Sequence, residues 1–222
     1  MPSLNRRAVI LGAALAAAAA PGPWDRVWAQ GAPVHLPFIT HAAFFSKETQ
    51  QSVPLDPQVF VKDGNAKAET GPQGIMHIDG FRPAHIVSDP SDTPVFTAQG
   101  RALGFSLGQW LGAGGAVIIT PRGAGATLRV RLKGLVPNGV YSLFENHFDQ
   151  EPVGFTPLDG SGKRNSSTAK PDGTWAITVH APQMLTSANA VLLVYHSDRL
   201  IHGASRGEIG VNAHHQLIAK LP

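Results

Sequence analysis

The sequence predicts an all-β protein, an antiparallel Greek-key β-sandwich of the immunoglobulin-like or superoxide-dismutase-like kind preceded by an extended N-terminal arm. Three observations carry this. Charged residues make up only 15% of the 222 positions against 43% hydrophobic, with 24 glycines and 18 prolines, a balance that suits short strands joined by turns better than helices. From residue 94 onward, short apolar or alternating segments recur with turn signals between them. No long helical period and no internal repeat interrupts them.

Pro94–Ala98 reads as the first strand of this domain, and Ser106–Leu111 (SLGQWL) as one helical turn. Ala116–Thr120 is apolar. Thr127–Leu135 alternates with period two, Arg129, Arg131 and Lys133 forming its solvent side. Pro137-Asn138-Gly139 follows, an Asn-Gly turn that predicts a hairpin with Val140–Phe148 as the returning strand. After a Gly/Ser/Asp-rich loop from Leu158 to Gly173 come strands over Thr174–His180 and Ala190–His196, and Gln216–Leu221 closes the domain. Residues 93–222 are thus expected to be the sandwich. Residues 30–92 carry breakers throughout (Pro33, Pro37, Pro54, Pro57, Gly71-Pro72, Pro83, Pro90) and read as an irregular arm packed on that domain, with Val59–Val61 and Ile75–Ile78 as edge strands.

Residues 1–29 read as an export signal. Arg6-Arg7 precede an apolar, alanine-rich run to Ala20, the layout of a twin-arginine signal, with the Sec route as the alternative and cleavage expected after Ala29. The run is too short to cross a bilayer, which needs about 20 apolar residues. Cleavage removes three arginines and one aspartate and leaves a formal charge of about +1 instead of +3. The mature chain is then expected in the periplasm or secreted, with the export machinery as its one implied partner. Nothing suggests a membrane role after signal removal. Nucleic acid is disfavoured because no clustered basic face is visible. The absence of cysteine excludes disulfides, thiolate metal sites and cysteine catalysis.

Thr127 to Asp149, with Gly134-Leu135-Val136-Pro137-Asn138-Gly139 at its centre, resembles the strand–turn–strand segment of copper/zinc superoxide dismutases and of related CHRD-type extracellular sandwiches. The resemblance implies a Greek-key fold but not the activity. The dismutase His-x-His pair falls on Leu143 and Glu145 here, and the dismutase disulfide is absent. Leu103–Trp110 and Val194-Tyr195-His196-Ser197-Asp198 through His215 resemble a group of secreted bacterial proteins, a likeness that implies no particular activity.

The candidate chemistry lies in the histidines. All ten follow residue 29, and four fall between 196 and 215. His147, His196, His202 and His214, helped by Asp198, are the expected ligands of a copper or zinc site at a sandwich rim, since imidazole and carboxylate serve such ions where thiolate is missing. The alternative is a non-catalytic module that binds a ligand or partner and whose histidines brace loops. Of the neighbours His214 and His215, only one is expected to point inward. No catalytic residue is assigned. Gly203-Ala204-Ser205-Arg206-Gly207 matches the nucleophile-elbow pattern, but no helix follows it. Leu158–Asn165 lacks the glycine and the Ser/Thr that a phosphate loop requires.

Overall fold

The computed structural model describes residues 31–222; the expected export signal over 1–29 lies outside them. In chain order the elements are β1 (Val34–Thr40), α1 (His41–Glu48), β2 (Leu55–Lys62), β3 (Glu69–Thr70), β4 (Met76–His77), β5 (Phe81–His85), β6 (Pro94–Phe96), β7 (Ala102–Ser106), α2 (Leu107–Leu111), β8 (Gly114–Arg122), β9 (Gly125–Lys133), β10 (Val140–His147), β11 (Gly154–Pro157), β12 (Ser166–Thr168), β13 (Trp175–Ala181), β14 (Asn189–His196) and β15 (Ala213–Lys220). No described helix is long and apolar enough to cross a membrane.

The principal sheet runs β11-β10-β14-β15-β1-β8-β9-β13, with β12 also on β10, and it curls into a half-barrel. The curl has its hinge in β1. Val34–Phe38 pair with β8, while Ile39 and Thr40 pair with Ile218 and Leu217 of β15. One strand therefore belongs to two layers, as at a sandwich corner. Pro37, which has no N–H to donate, sits in the half of β1 that pairs only with β8.

The two layers close on one core. β8, β9 and β13 contribute Val117, Ile119, Leu128, Val130, Trp175 and Val179; β10, β14 and β15 contribute Tyr141, Leu143, Val191, Leu193, Tyr195 and Leu217. A four-stranded sheet, β5-β2-β6-β7, adds Val59, Val61, Ala84, Val95 and Phe105 to the same core. β9 alternates as its sequence predicts, with Arg129, Arg131 and Lys133 exposed between buried Leu128, Val130 and Leu132. β10, β14 and β15 are instead buried almost throughout. Their outer face carries a second cluster of Phe144, Ala190, Leu192, Val194 and Ile218, against which Phe44 of α1 packs. Strands covered on both faces lose the period-two pattern.

Two expectations need correction. The stretch 30–92 is not irregular: it supplies β1, α1 and β2 to β5. The Asn-Gly turn does not close a hairpin either. β9 pairs with β8 and β13, and β10 with β14, β11 and β12, so both edges of each strand are taken. Asn138, at φ 57°, and Gly139 form an arch between the layers instead, pinned where the Val136 N–H donates to Tyr141 Oη at 2.9 Å.

Candidate functional site

The expected histidine site does not assemble. His147 and His196 lie at opposite ends of the β10–β14 ladder, since Val140 pairs with His196 and His147 with Asn189. Seven residues of strand separate these rungs, roughly 23 Å at about 3.3 Å per residue. His147 Nε2 lies 2.8 Å from Thr156 Oγ1, and Asn189 Nδ2 lies 3.2 Å from its Nδ1. Both ring nitrogens thus have polar partners far from the other candidates.

His196, Asp198 and His202 do come together. The His196 and His202 rings stand 4.9 Å apart between centroids, His202 Nε2 lies 2.9 Å from Asp198 Oδ2, and His196 Nε2 lies 2.7 Å from Ser142 Oγ. Burial pushes the His196 pKa down to about 4, with the neighbouring His202 adding to the shift. Partial burial works to raise Asp198, but the Leu200 N–H and the His202 bond hold it below the ordinary carboxylate range. His214 faces the other layer. Its Nδ1–H donates to the Gln58 carbonyl at 2.9 Å, and its Nε2 accepts from Ser197 Oγ at 3.1 Å. Burial lowers its pKa to about 4. Among the described residues no group of three or more His, Asp or Glu side chains is arranged to hold a metal ion. Ser205 takes part in a local turn, its Oγ accepting from the Gly207 N–H at 3.1 Å.

The neighbours His214 and His215 are both buried, because β15 is covered on both sides. Gln216 follows them as the extra residue of a bulge: Leu193 pairs with Leu217 and Val194 with His215. His214 thus packs against Trp110 and Tyr195 in the main core, and His215 against His41 and Phe155 on the outer face.

That outer face holds the cavity that the sequence did not reveal. α1 begins directly after β1, where Thr40 caps it by accepting from the Ala43 N–H at 3.3 Å. Buried Ser46 ties the helix to β2 through the Leu55 backbone, at 3.0 Å to both N and O. This leaves the ring of His41 4.8 Å from that of His215. Between α1 and the Phe148–Phe155 turn lies a cavity of about 280 Å³. Phe44, Phe45, Phe148, Val153 and Phe155 give it apolar walls, and His41, Gln73, Asn146 and His215 a polar floor.

The floor is electrostatically unfinished. His41 Nδ1 and Asn146 Oδ1 are buried with no hydrogen-bond partner, and each such group costs about 1–3 kcal/mol. Burial, reinforced by the nearby Arg206 charge, lowers the His41 pKa to about 3, and burial likewise holds His215 well below its ordinary value. Both rings are therefore neutral at pH 7. Arg206 lies over the Phe155 ring, 3.5 Å from its centroid, and no carboxylate pairs with it among the described residues. One sequence signal could have found this site: His41-Ala42-Ala43-Phe44-Phe45, a short segment placing a histidine and an aromatic three residues apart, the spacing of one helical face. Compared with protein-family models, curated proteins and solved structures, the chain has no match.

Proposed function

We propose that the chain is an exported, non-catalytic binding module that holds a small ligand in the cavity beneath α1, and whose remaining histidines brace its loops. The observation that carries this reading is the combination of apolar walls with partnerless buried polar atoms, His41 Nδ1 and Asn146 Oδ1, on the floor. Small-molecule sites take that form: a mostly apolar concavity with a few polar groups left for the ligand. At about 280 Å³, the cavity lies just below the roughly 300–1,000 Å³ common for such sites, so the ligand is small. Export is supported by Arg6-Arg7 and the apolar run after them. The bracing role rests on His147, His202 and His214, each with a polar partner within hydrogen-bond distance.

The test is a ligand-observed NMR screen of small amphipathic fragments against the wild type and Val153→Trp. Val153 stands at the cavity wall on a turn, 36% exposed, so an indole there fills the space without disturbing a strand. Fragments that bind the wild type and not the variant are expected. A screen in which no binder responds to Val153→Trp contradicts the assignment.

A further inference from the structure

The hydrogen bonds around His215 specify the charge of that ligand. The His215 N–H donates to Gln58 Oε1 at 2.7 Å, which fixes the orientation of the buried Gln58 amide. Gln58 Nε2 then donates to Gln73 Oε1 at 2.6 Å and to His215 Nδ1 at 3.0 Å. A neutral imidazole has one donor and one acceptor nitrogen. With Nδ1 accepting, the proton sits on Nε2. Arg206 Nη1 lies 3.2 Å from this same Nε2, and a guanidinium can only donate. Two N–H donors thus face each other with no acceptor to share, His215 lining the cavity and Arg206 adjoining its lining at His215 and Phe155.

The charge is unbalanced as well. Arg206 is half-buried, and burial works against its charge. Glu48, the one acidic side chain lining the cavity, is exposed at the end of α1 and forms no ion pair with it. The partnerless His41 lies against His215.

We propose that the cavity binds a small carboxylic acid in its ionised form, the carboxylate accepting from Arg206 and from His215 Nε2–H and the apolar body lying against Phe44, Phe148 and Val153. Two converging donors and a single cation match a monoanion with two oxygens. Phosphate or sulfate would turn part of its oxygens toward the apolar walls, which give them no partner. The proposal rests on the reading of the cavity as a ligand site.

The test is calorimetric titration of the purified protein with phenylacetate, benzoate and hexanoate, with their primary amides, and with inorganic phosphate. Wild type, Arg206→Gln, Arg206→Lys and Val153→Trp are compared. The acids are expected to bind at least tenfold more tightly than the amides. Arg206→Gln is expected to erase that preference, and Arg206→Lys to keep part of it. Equal binding of acids and amides that is lost in Val153→Trp overturns the carboxylate assignment and leaves the cavity as a ligand site. Phosphate binding more tightly than the acids also overturns it. Absence of any binding sensitive to Val153→Trp overturns both readings. If Arg206→Gln fails to fold, the acid–amide ratio on the wild type and on Arg206→Lys decides.

Discussion

Acidification from pH 7 to pH 5 should unfold this protein, and the buried histidines set how steeply. His41, His196, His214 and His215 are all buried and neutral in the fold, with pKa values of about 3, 4 and 4 for the first three and a depressed value for the fourth. In the unfolded chain each returns to the ordinary 6.5. Their stabilisation is therefore fully present above pH 6.5 and is lost as pH falls, because the unfolded state takes up protons that the folded state refuses. By pH 5 each of the first three costs about 2 kcal/mol, roughly 6 together, and His215 adds in the same direction. Asp56 works the other way. Burial raises its pKa to about 6, although the Gln58 and Val59 N–H groups and the Trp110 indole donate to it. Its protonated form is the one the fold prefers, so acidification returns about 1 kcal/mol. The net loss is roughly 5 kcal/mol before the contribution of His215, comparable to the whole stability of many domains. Urea unfolding followed by tryptophan fluorescence at half-unit pH steps measures it. At pH 5.5 the slope should correspond to an uptake of about three protons on unfolding, falling to about two in His41→Phe. A slope of less than one proton would refute the assignment of these rings as neutral and buried.

Three further outcomes are expected. Asp56→Ala strips the acceptor from Trp110 Nε1, at 2.8 Å, and from the Gln58 and Val59 N–H groups. It should cost about 3–5 kcal/mol in calorimetric unfolding, and a cost below about 1 kcal/mol would show those donors finding other partners. Tyr141→Phe leaves the Val136 N–H without its acceptor and should destabilise by about 1–2 kcal/mol with little change in the native circular dichroism; no loss means water takes over the bond. Equimolar zinc or copper should leave the melting temperature unchanged, because the ring nitrogens of His147 and His214 are engaged and His196 Nε2 is tied to Ser142. A stabilisation that disappears in the double substitution His196→Ala/His202→Ala would refute the bracing role.

Much of the sandwich was legible because half-covered strands alternate and fully covered ones read as apolar runs. Arg129, Arg131 and Lys133 mark the wet face of β9, and the apolar run Ala190–Val194 marks β14. What the sequence concealed depended on the segment before residue 93. Pro37 and Pro57 argued against strands at positions where β1 and β2 run. β1 accommodates its proline in the half that pairs with one neighbour, and β2 passes its own at an irregularity between Asp56 and Phe60. With α1 unseen, strand alternation let only one of His214 and His215 point inward, whereas both are buried. Register divides the expected set of ligands. Closeness in sequence brought His196, Asp198 and His202 together, but nothing in the sequence told which end of β14 would meet His147. The cavity stayed hidden because its lining comes from 41–49, 73, 146–155 and 215, joined through the ladders of β10, β14, β15 and β1 and, for Gln73, through Gln58.

The most direct test of the ligand site is the imidazole nitrogen NMR spectrum of the purified protein during titration with phenylacetate. The ring resonances of His41 and His215 should move together and saturate, as an acceptor arrives beside Arg206 and His215 Nε2, while those of His196 and His214 stay fixed. Shifts confined to His196 and His202, or no shift at any ring, would contradict it.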